Sequence, residues 1–324
     1  MNHETLTAEA VINAALEYGA DLCTIGSIGR WKATPKNESP LSIMPRAKSV
    51  ICIAFRIQRG ALRGAVEGTY FSAYSLANFN DINEVIAPTV QRRLANFIES
   101  YGYEAVPIQY YSHNLGRNTG KAAVDEQGRE KPAPEVFFNF RIGGYLCGMG
   151  QVGHSRMLLT REFGPAQRLY FIVTEAELQE NPLVNDICDK CMECVRHCPA
   201  HALEKKADDN VDIPGISKIE RSGLNDTRCR LAHISGAFSP YASPEIREYA
   251  EYICGGENGR CADGAECPPF SEIQKKVTAG VSYAANMDKM FHAPSALCGE
   301  GCMIACLRHL DRKGALSRKF RHPF

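Results

Sequence analysis

Four cysteines and a proline fall within the twelve residues "CDKCMECVRHCP" at positions 188–199, and no other stretch restricts the fold as tightly. Thiols this dense staple a chain, hold zinc or carry electrons. The spacing is Cys188-x2-Cys191-x2-Cys194-x3-Cys198-Pro199, which is the bacterial ferredoxin pattern. Three thiolates two residues apart wrap three corners of one cubane, and the fourth points towards a different cluster. Zinc sites usually draw paired cysteines from two separated knuckles. The run therefore predicts a [4Fe-4S] cluster, with Pro199 near the first turn of a helix over "PAHALEKK".

A two-cluster module needs more thiols downstream. The tail supplies "LCGEGCMIACLRHL", with Cys298, Cys302 and Cys306 spaced by four, and "TRC" adds Cys229. Cys302 and Cys306 mirror the last pair of the first motif, whereas Cys298 has three residues before Cys302 where the motif has two. The usual cross-over assigns Cys188, Cys191, Cys194 and Cys306 to one cluster, and Cys198, Cys229, Cys298 and Cys302 to the other. Cys254, Cys261 and Cys267 are surplus. They replace Cys229, form a small metal site or stay free, and free or structural thiols are favoured.

The chain of 324 residues has 14 cysteines, many for a protein expected in a reducing cytoplasm, where clusters point to metal or redox work. Cys23 and Cys52 lie inside apolar stretches and read as buried small hydrophobes. Lys+Arg and Asp+Glu both total 37, so no bulk charge advertises a nucleic-acid or membrane partner. Glu4 and Glu9 stand where a signal peptide carries lysines, and stretches such as "VICIAF" are too short to span a bilayer. The expectation is a cytoplasmic protein with no membrane contact, nucleic acid being an unlikely partner.

The first half reads as helices alternating with strands. Thr7 caps a helix that Gly19 stops, with Val11, Ile12, Ala15 and Leu16 on one face. "DLCTIG", "SVICIAFRI", "YEAVPI" and "RLYFIVTEAEL" read as strands, the second buried on both faces. Ile82, Val85, Ile86, Leu94, Phe97 and Ile98 recur at helical spacing, with Pro88 kinking or dividing the helix. "EVFFNFRIGGYLCG" reads as another helix, and "HNLGRNTGKAAVDEQGREKPAPE" as a surface loop. The expected class is α/β (α+β), with an α/β domain over 1–180 and a cluster domain over 181–324, joined through "LQENPLVND".

Gly148, Gly150 and Gly153 alternate tightly, which permits φ > 0 or close approach of backbone to a flat ligand. The spacing is that of a dinucleotide fingerprint, but a helix precedes it instead of a strand. From here on the chain resembles a known group. "GMGQVGHSRMLLTREFGPAQRLYFIVTEAEL", followed within fifteen residues by the ferredoxin run, resembles the corrinoid-dependent reductases. That superfamily holds the reductive dehalogenases and the epoxyqueuosine reductases. Glu162, Phe163, Gly164, Pro165 and Arg168 carry its central stretch, and "RRLANFIESYGYEAVPI" resembles the dehalogenase helix and strand.

The resemblance, over about 45–310, implies a nitroreductase-like cobalamin-binding domain followed by a ferredoxin-like domain with two [4Fe-4S] clusters. It implies electrons passing from a donor such as ferredoxin or flavodoxin through both cubanes to cobalt, with Co(I) reducing a small organic substrate. Gly148, Gly150, Gly153, Ser155 and Arg168 would bind the cofactor. Epoxyqueuosine reductases carry an aspartate donor where this chain has Pro134, followed by Glu135. Dehalogenases use a tyrosine donor and a basic residue just after the glycine turn, a position that reads His154 here. Tyr74 or Tyr70 is the expected donor, with Tyr110 and Tyr111 weaker candidates. The leading expectation is a dehalogenase-like reductase. The alternatives are an epoxyqueuosine reductase-like enzyme acting on tRNA, and a non-catalytic electron-transfer protein.

Overall fold

A computed structural model describes residues 5–36, 38–108, 136, 138–240, 242–256, 260–279 and 300–324. Helix α1 (Ala8–Glu17) starts where the Thr7 hydroxyl accepts from Ala10 N–H at 3.1 Å, and it stops before Gly19 at φ +112°. Its buried face is Val11, Ala14 and Ala15. Leu16, expected on that face, is turned outward and is 43% exposed. Strands β1 (Leu22–Ser27), β2 (Ser49–Arg56) and β3 (Ala105–Ile108), together with β4 (Gln167–Thr174), form one sheet in the order β1-β2-β4-β3. All three pairings are antiparallel, so of the two forms of the class expected the α+β form is observed.

Strand β2 is buried at seven consecutive positions, as its unbroken apolar run requires. Ile51, Ile53 and Phe55 pack against α1 and helix α4 (Ala87–Ser100). Val50, Cys52 and Ala54 pack on the other face, against Trp31 and helix α5 (Phe140–Leu146). Cys23 and Cys52 are buried in these two layers, as read from the sequence.

The short helix α2 (Pro40–Ile43) precedes β2. Between α3 (Arg59–Glu67) and α4 the chain is π-helical over Ala73–Asn80 and Ile82–Ile86, and it becomes α-helical where Pro88 sits in the first turn of α4. A π turn advances the side-chain period, so Val85 and Ile86 face outward although their spacing suited an α-helix. Helix α5 is shorter than expected. It begins at Phe140, where the Asn139 side chain accepts from Ile142 N–H at 3.2 Å. The loop expected from His113 to Glu135 lies outside the described residues, as do Tyr110, Tyr111, Pro134 and Cys298.

No helix follows Pro199. Pro199 lacks an N–H, Ala202 N–H donates to Cys198 Sγ at 3.3 Å, and Glu204 N–H donates to Ser222 Oγ at 2.8 Å. These donors are engaged outside any helical ladder, and Leu203 bridges Leu224 instead. The helix of this region is α6 (Glu193–Arg196), inside the cysteine run. Beyond it come α7 (Asp226–Ser235), α8 (Pro244–Cys254), α9 (Phe270–Ala279) and α10 (Cys302–Arg312). Ile304, Leu307 and Leu310 of α10 pack with Leu62 of α3 and with Phe71 and Tyr74, so the last helix returns to the first half.

Candidate cluster and cofactor site

The first cysteine loop is shaped by two left-handed residues, Lys190 at φ +56° and Met192 at φ +62°. They turn the backbone sharply enough to bring Cys188, Cys191 and Cys194 around one small cavity. Gln151 fixes the entrance, its Oε1 accepting from both Ile187 N–H and Cys188 N–H at 2.7 Å. Cys306 of α10 opens into the same cavity. His154 N–H points at Cys188 Sγ, 3.5 Å away. Asp189 braces the loop from outside, accepting from His309 Nε2 at 2.8 Å and Lys313 Nζ at 2.7 Å.

Cys191, Cys194 and Cys306 are not poised to ionise alone. Burial pushes the Cys194 thiol up to about 11, with Cys188 and Cys191 adding repulsion. Burial raises Cys306 well above the ordinary thiol range, followed by Cys188, Cys194, Cys191 and Cys302. Four thiolates crowded this way need a cationic centre to exist together. Around one tetrahedral zinc the sulfurs would stand about 3.8 Å apart, from Zn–S bonds of about 2.3 Å. Among the described residues, the one group of three metal-capable atoms within 4.8 Å of one another is Asp189, Cys191 and His309, not three thiols. The wider spacing fits a cubane better than a single ion.

Cys198, Cys229 and Cys302 open into a larger cavity of about 340 Å³, the size class of cofactor pockets. Burial, followed by repulsion from Cys198 and Cys229, pushes the Cys302 thiol up to about 12. The first half contributes Tyr74, Phe79, Phe140, Ser155 and Arg168 to the wall, and the second half adds Leu203, Leu224 and Ile304. Arg168 Nε donates to Asn78 O at 3.1 Å, and its guanidinium lies 4.0 Å over the Phe79 ring. Tyr74 is 3% exposed and packs beside Phe71.

The glycine turn does different work from that expected. A Cβ on Gly148 would stand 2.3 Å from Pro182 O, and one on Gly150 2.0 Å from Leu159 O. One on Gly153 would meet Leu159 Cδ1 at 2.9 Å and Cys188 Sγ at 3.5 Å. All three permit close approach of protein to protein, and none lines the large cavity.

His154 also lies elsewhere. It is buried at the small cavity, with Nε2 2.9 Å from Glu204 O and Nδ1 without a partner among the described residues. Tyr74 and His154 therefore do not share a cavity, and the pair expected to act as one unit is separated. Tyr70 is 65% exposed and lines neither cavity.

Sequence reasoning missed two arginines and a histidine on the large cavity, Arg141, Arg156 and His233. Arg141 is the sole charged residue in "FRIGGYLCGMG", an oddity that flags it. His233 follows Cys229 by one helical turn on α7, so both share a face. Enclosure by protein lowers the His233 pKa from 6.5 to about 4, with Arg168 and Arg141 contributing repulsion. Its ring is open to the interior of the cavity, so water there moderates the effect.

No family model matches this chain. It is 25% identical over 202 residues to the epoxyqueuosine reductase of Gloeobacter violaceus, covering 62% of this chain and 56% of that protein. It is 30% identical over 93 residues to the tetrachloroethene reductive dehalogenase of Dehalobacter restrictus, covering 26% of this chain and 17% of that one. The chain is a relative of the epoxyqueuosine reductases and the reductive dehalogenases. These relatives are oxidoreductases, and this reductase relative spans little more than half of one and a sixth of the other.

A crystal structure of an epoxyqueuosine reductase with a tRNA stem loop aligns over 95% of this chain and 82% of that one, at 15% identity and a TM-score of 0.45. With an epoxyqueuosine reductase among the relatives, the expectation that nucleic acid is an unlikely partner is not supported. Among the described residues no helix is long and apolar enough to cross a membrane.

Proposed function

We propose that this chain is a cobalamin-dependent iron–sulfur reductase, with a cofactor domain over 1–180 and a ferredoxin-like domain over 181–324 that holds two [4Fe-4S] clusters. One observation carries this reading: Cys198, Cys229 and Cys302 border the same cavity as Tyr74 and Arg168. A second cluster on those thiols would end beside a bulky, partly apolar cofactor. Cobalamin, when bound there, supplies a strongly reducing cobalt centre.

The chain's own residues supply the surroundings. Phe79, Phe140, Leu158 and Leu169 give the cavity an apolar wall from which a bound cofactor would displace water. Tyr74 holds a proton at its phenol oxygen, and the guanidiniums of Arg141 and Arg168 provide positive charge on the same wall. A phenol with a reference pKa of about 10 gives up its proton more readily where cations stabilise the phenolate. Cys188, Cys191, Cys194 and Cys306 would form the outer station, reached by a ferredoxin or flavodoxin donor.

Reductive removal of an epoxide oxygen from a tRNA nucleoside is the better-supported substrate reading, because the epoxyqueuosine reductase alignment covers 62% of the chain against 26% for the dehalogenase. Dehalogenation is the second reading, favoured by the burial of Tyr74 at the cavity. Anaerobic protein reconstituted with iron, sulfide and cobalamin should show corrinoid bands stoichiometric with protein. Turnover of epoxyqueuosine-containing tRNA, but not of a halogenated aromatic, would select the first substrate reading. Intact clusters with no bound corrinoid would instead point to a non-catalytic electron-transfer protein.

A further inference from the structure

Cys254, Cys261 and Cys267 line neither cluster cavity. The sulfurs of Cys261 and Cys267 stand 2.6 Å apart. Two thiolates sharing one zinc would be about 3.8 Å apart, given bonds of about 2.3 Å. The pair is too close for co-ligands and close enough for a bond between them.

The intervening loop is built to hold that approach. Cys261 N–H donates to Ala265 O and Gly264 N–H to Cys261 O, each at 2.9 Å, with Gly264 at φ +82°. Arg260 bridges Glu266 across its base. Ala262 N–H donates to Tyr252 O at 2.8 Å, and Tyr252 Oη donates to Asp263 Oδ2 at 3.1 Å, so the loop is tied to α8. Buried Arg228 holds the other side, donating to Gly256 O at 2.7 Å and Arg260 O at 2.6 Å.

Arg228 directly precedes Cys229, so the loop is fastened beside a thiol of the second group. Cys254 belongs to the same packed cluster as Cys198, Cys229, Cys261 and Cys267, and burial raises its thiol against the opposing pull of Arg228. Access within the pair is unequal: Cys261 is fully buried and Cys267 half-buried. Burial and the neighbouring Cys267 push the Cys261 thiol up to about 11.

We propose that Cys261 and Cys267 form a reversible disulfide that locks this loop beside the second cysteine group, with a low-molecular-weight disulfide as oxidant. The more accessible Cys267 thiolate attacks one sulfur of the oxidant, releasing one small thiol and forming a mixed disulfide. Cys261 loses its proton, attacks Cys267 Sγ and expels the second small thiol. The protein loses two protons and two electrons, and the oxidant takes up both to become two thiols. The step uses neither cluster nor cobalamin, so it stands apart from the proposed reductase activity.

The test uses iron-loaded protein equilibrated anaerobically across ratios of oxidised to reduced glutathione. Free thiols are then blocked with N-ethylmaleimide and the peptides mapped by mass spectrometry. Cys261 and Cys267 should lose reactivity together, with two hydrogens missing, and should regain it together in reducing buffer. In Cys261→Ser or Cys267→Ser the remaining thiol should form no disulfide with another protein cysteine at any ratio, and iron content should not change. Full alkylation of both wild-type thiols at every ratio would overturn the proposal, even if neither variant folds. Iron lost from either folded variant, or stoichiometric zinc in the wild type, would overturn it too, by making the pair metal ligands.

Discussion

Cys302 and Cys306 lie one turn apart on α10 yet open into different cavities, Cys302 into the large one and Cys306 into the small one. Cys194 and Cys198 are divided in the same way. One helix therefore faces two thiol groups, the arrangement that the proposed pair of cubanes would use.

Iron analysis can read this division directly. Reconstituted protein should hold about eight irons, and Cys306→Ala or Cys302→Ala should each leave about four. The surviving cluster should differ between the two variants by electron paramagnetic resonance. The same surviving signal in both would mean that the helix serves one cluster only.

Gly153→Val is expected to disturb iron loading before it disturbs any corrinoid. Its side chain would press on Leu159 and on Cys188 Sγ, and it faces away from the large cavity. Iron content and cobalamin affinity should be measured on the same preparation. A folded, fully iron-loaded Gly153→Val that no longer binds cobalamin would place the cofactor against the glycine turn after all.

Tyr74→Phe and His154→Ala should act independently, because the two residues line separate cavities. Tyr74→Phe should slow single-turnover reduction about 100-fold or more, as loss of a general acid does. His154→Ala keeps the backbone N–H that points at Cys188 Sγ but removes the buried imidazole from the wall of the small cavity, so it should shift the reduction potential or the spectrum of the first cluster. The double variant should show both effects multiplied. Tyr70→Phe should change nothing, the ring being 65% exposed.

His233 makes stability depend on pH in a defined direction. Its pKa falls from 6.5 to about 4 in the folded chain. Between those values the unfolded chain binds a proton that the folded chain refuses, so stability is lost as pH drops through the window. His233→Gln removes the titration and should flatten the profile. Urea midpoints of cobalamin-free protein near pH 7 and near pH 5 give the comparison. An equally steep loss in the variant would assign the effect to other groups.

Much of this protein was legible in local patterns. The cysteine spacing implied that Cys188, Cys191 and Cys194 gather around one point because they are neighbours in sequence, and the unbroken run of β2 implied cover on both faces because a sheet sorts residues with period two. Thr7 and Gly19 marked the ends of α1 because caps are local chemistry. The failures have a common cause. Whether Gly153 meets a ligand or Cys188 depends on a loop 35 residues further on. Likewise, the separation of His154 from Tyr74 depends on how the cysteine loop folds over the glycine turn. The sequence by itself determined the inventory of thiols and the strands that carry the sheet. Only the tertiary structure decided which side chains share a cavity, because that is set by packing between segments far apart in the chain, and no spacing along the chain encodes it.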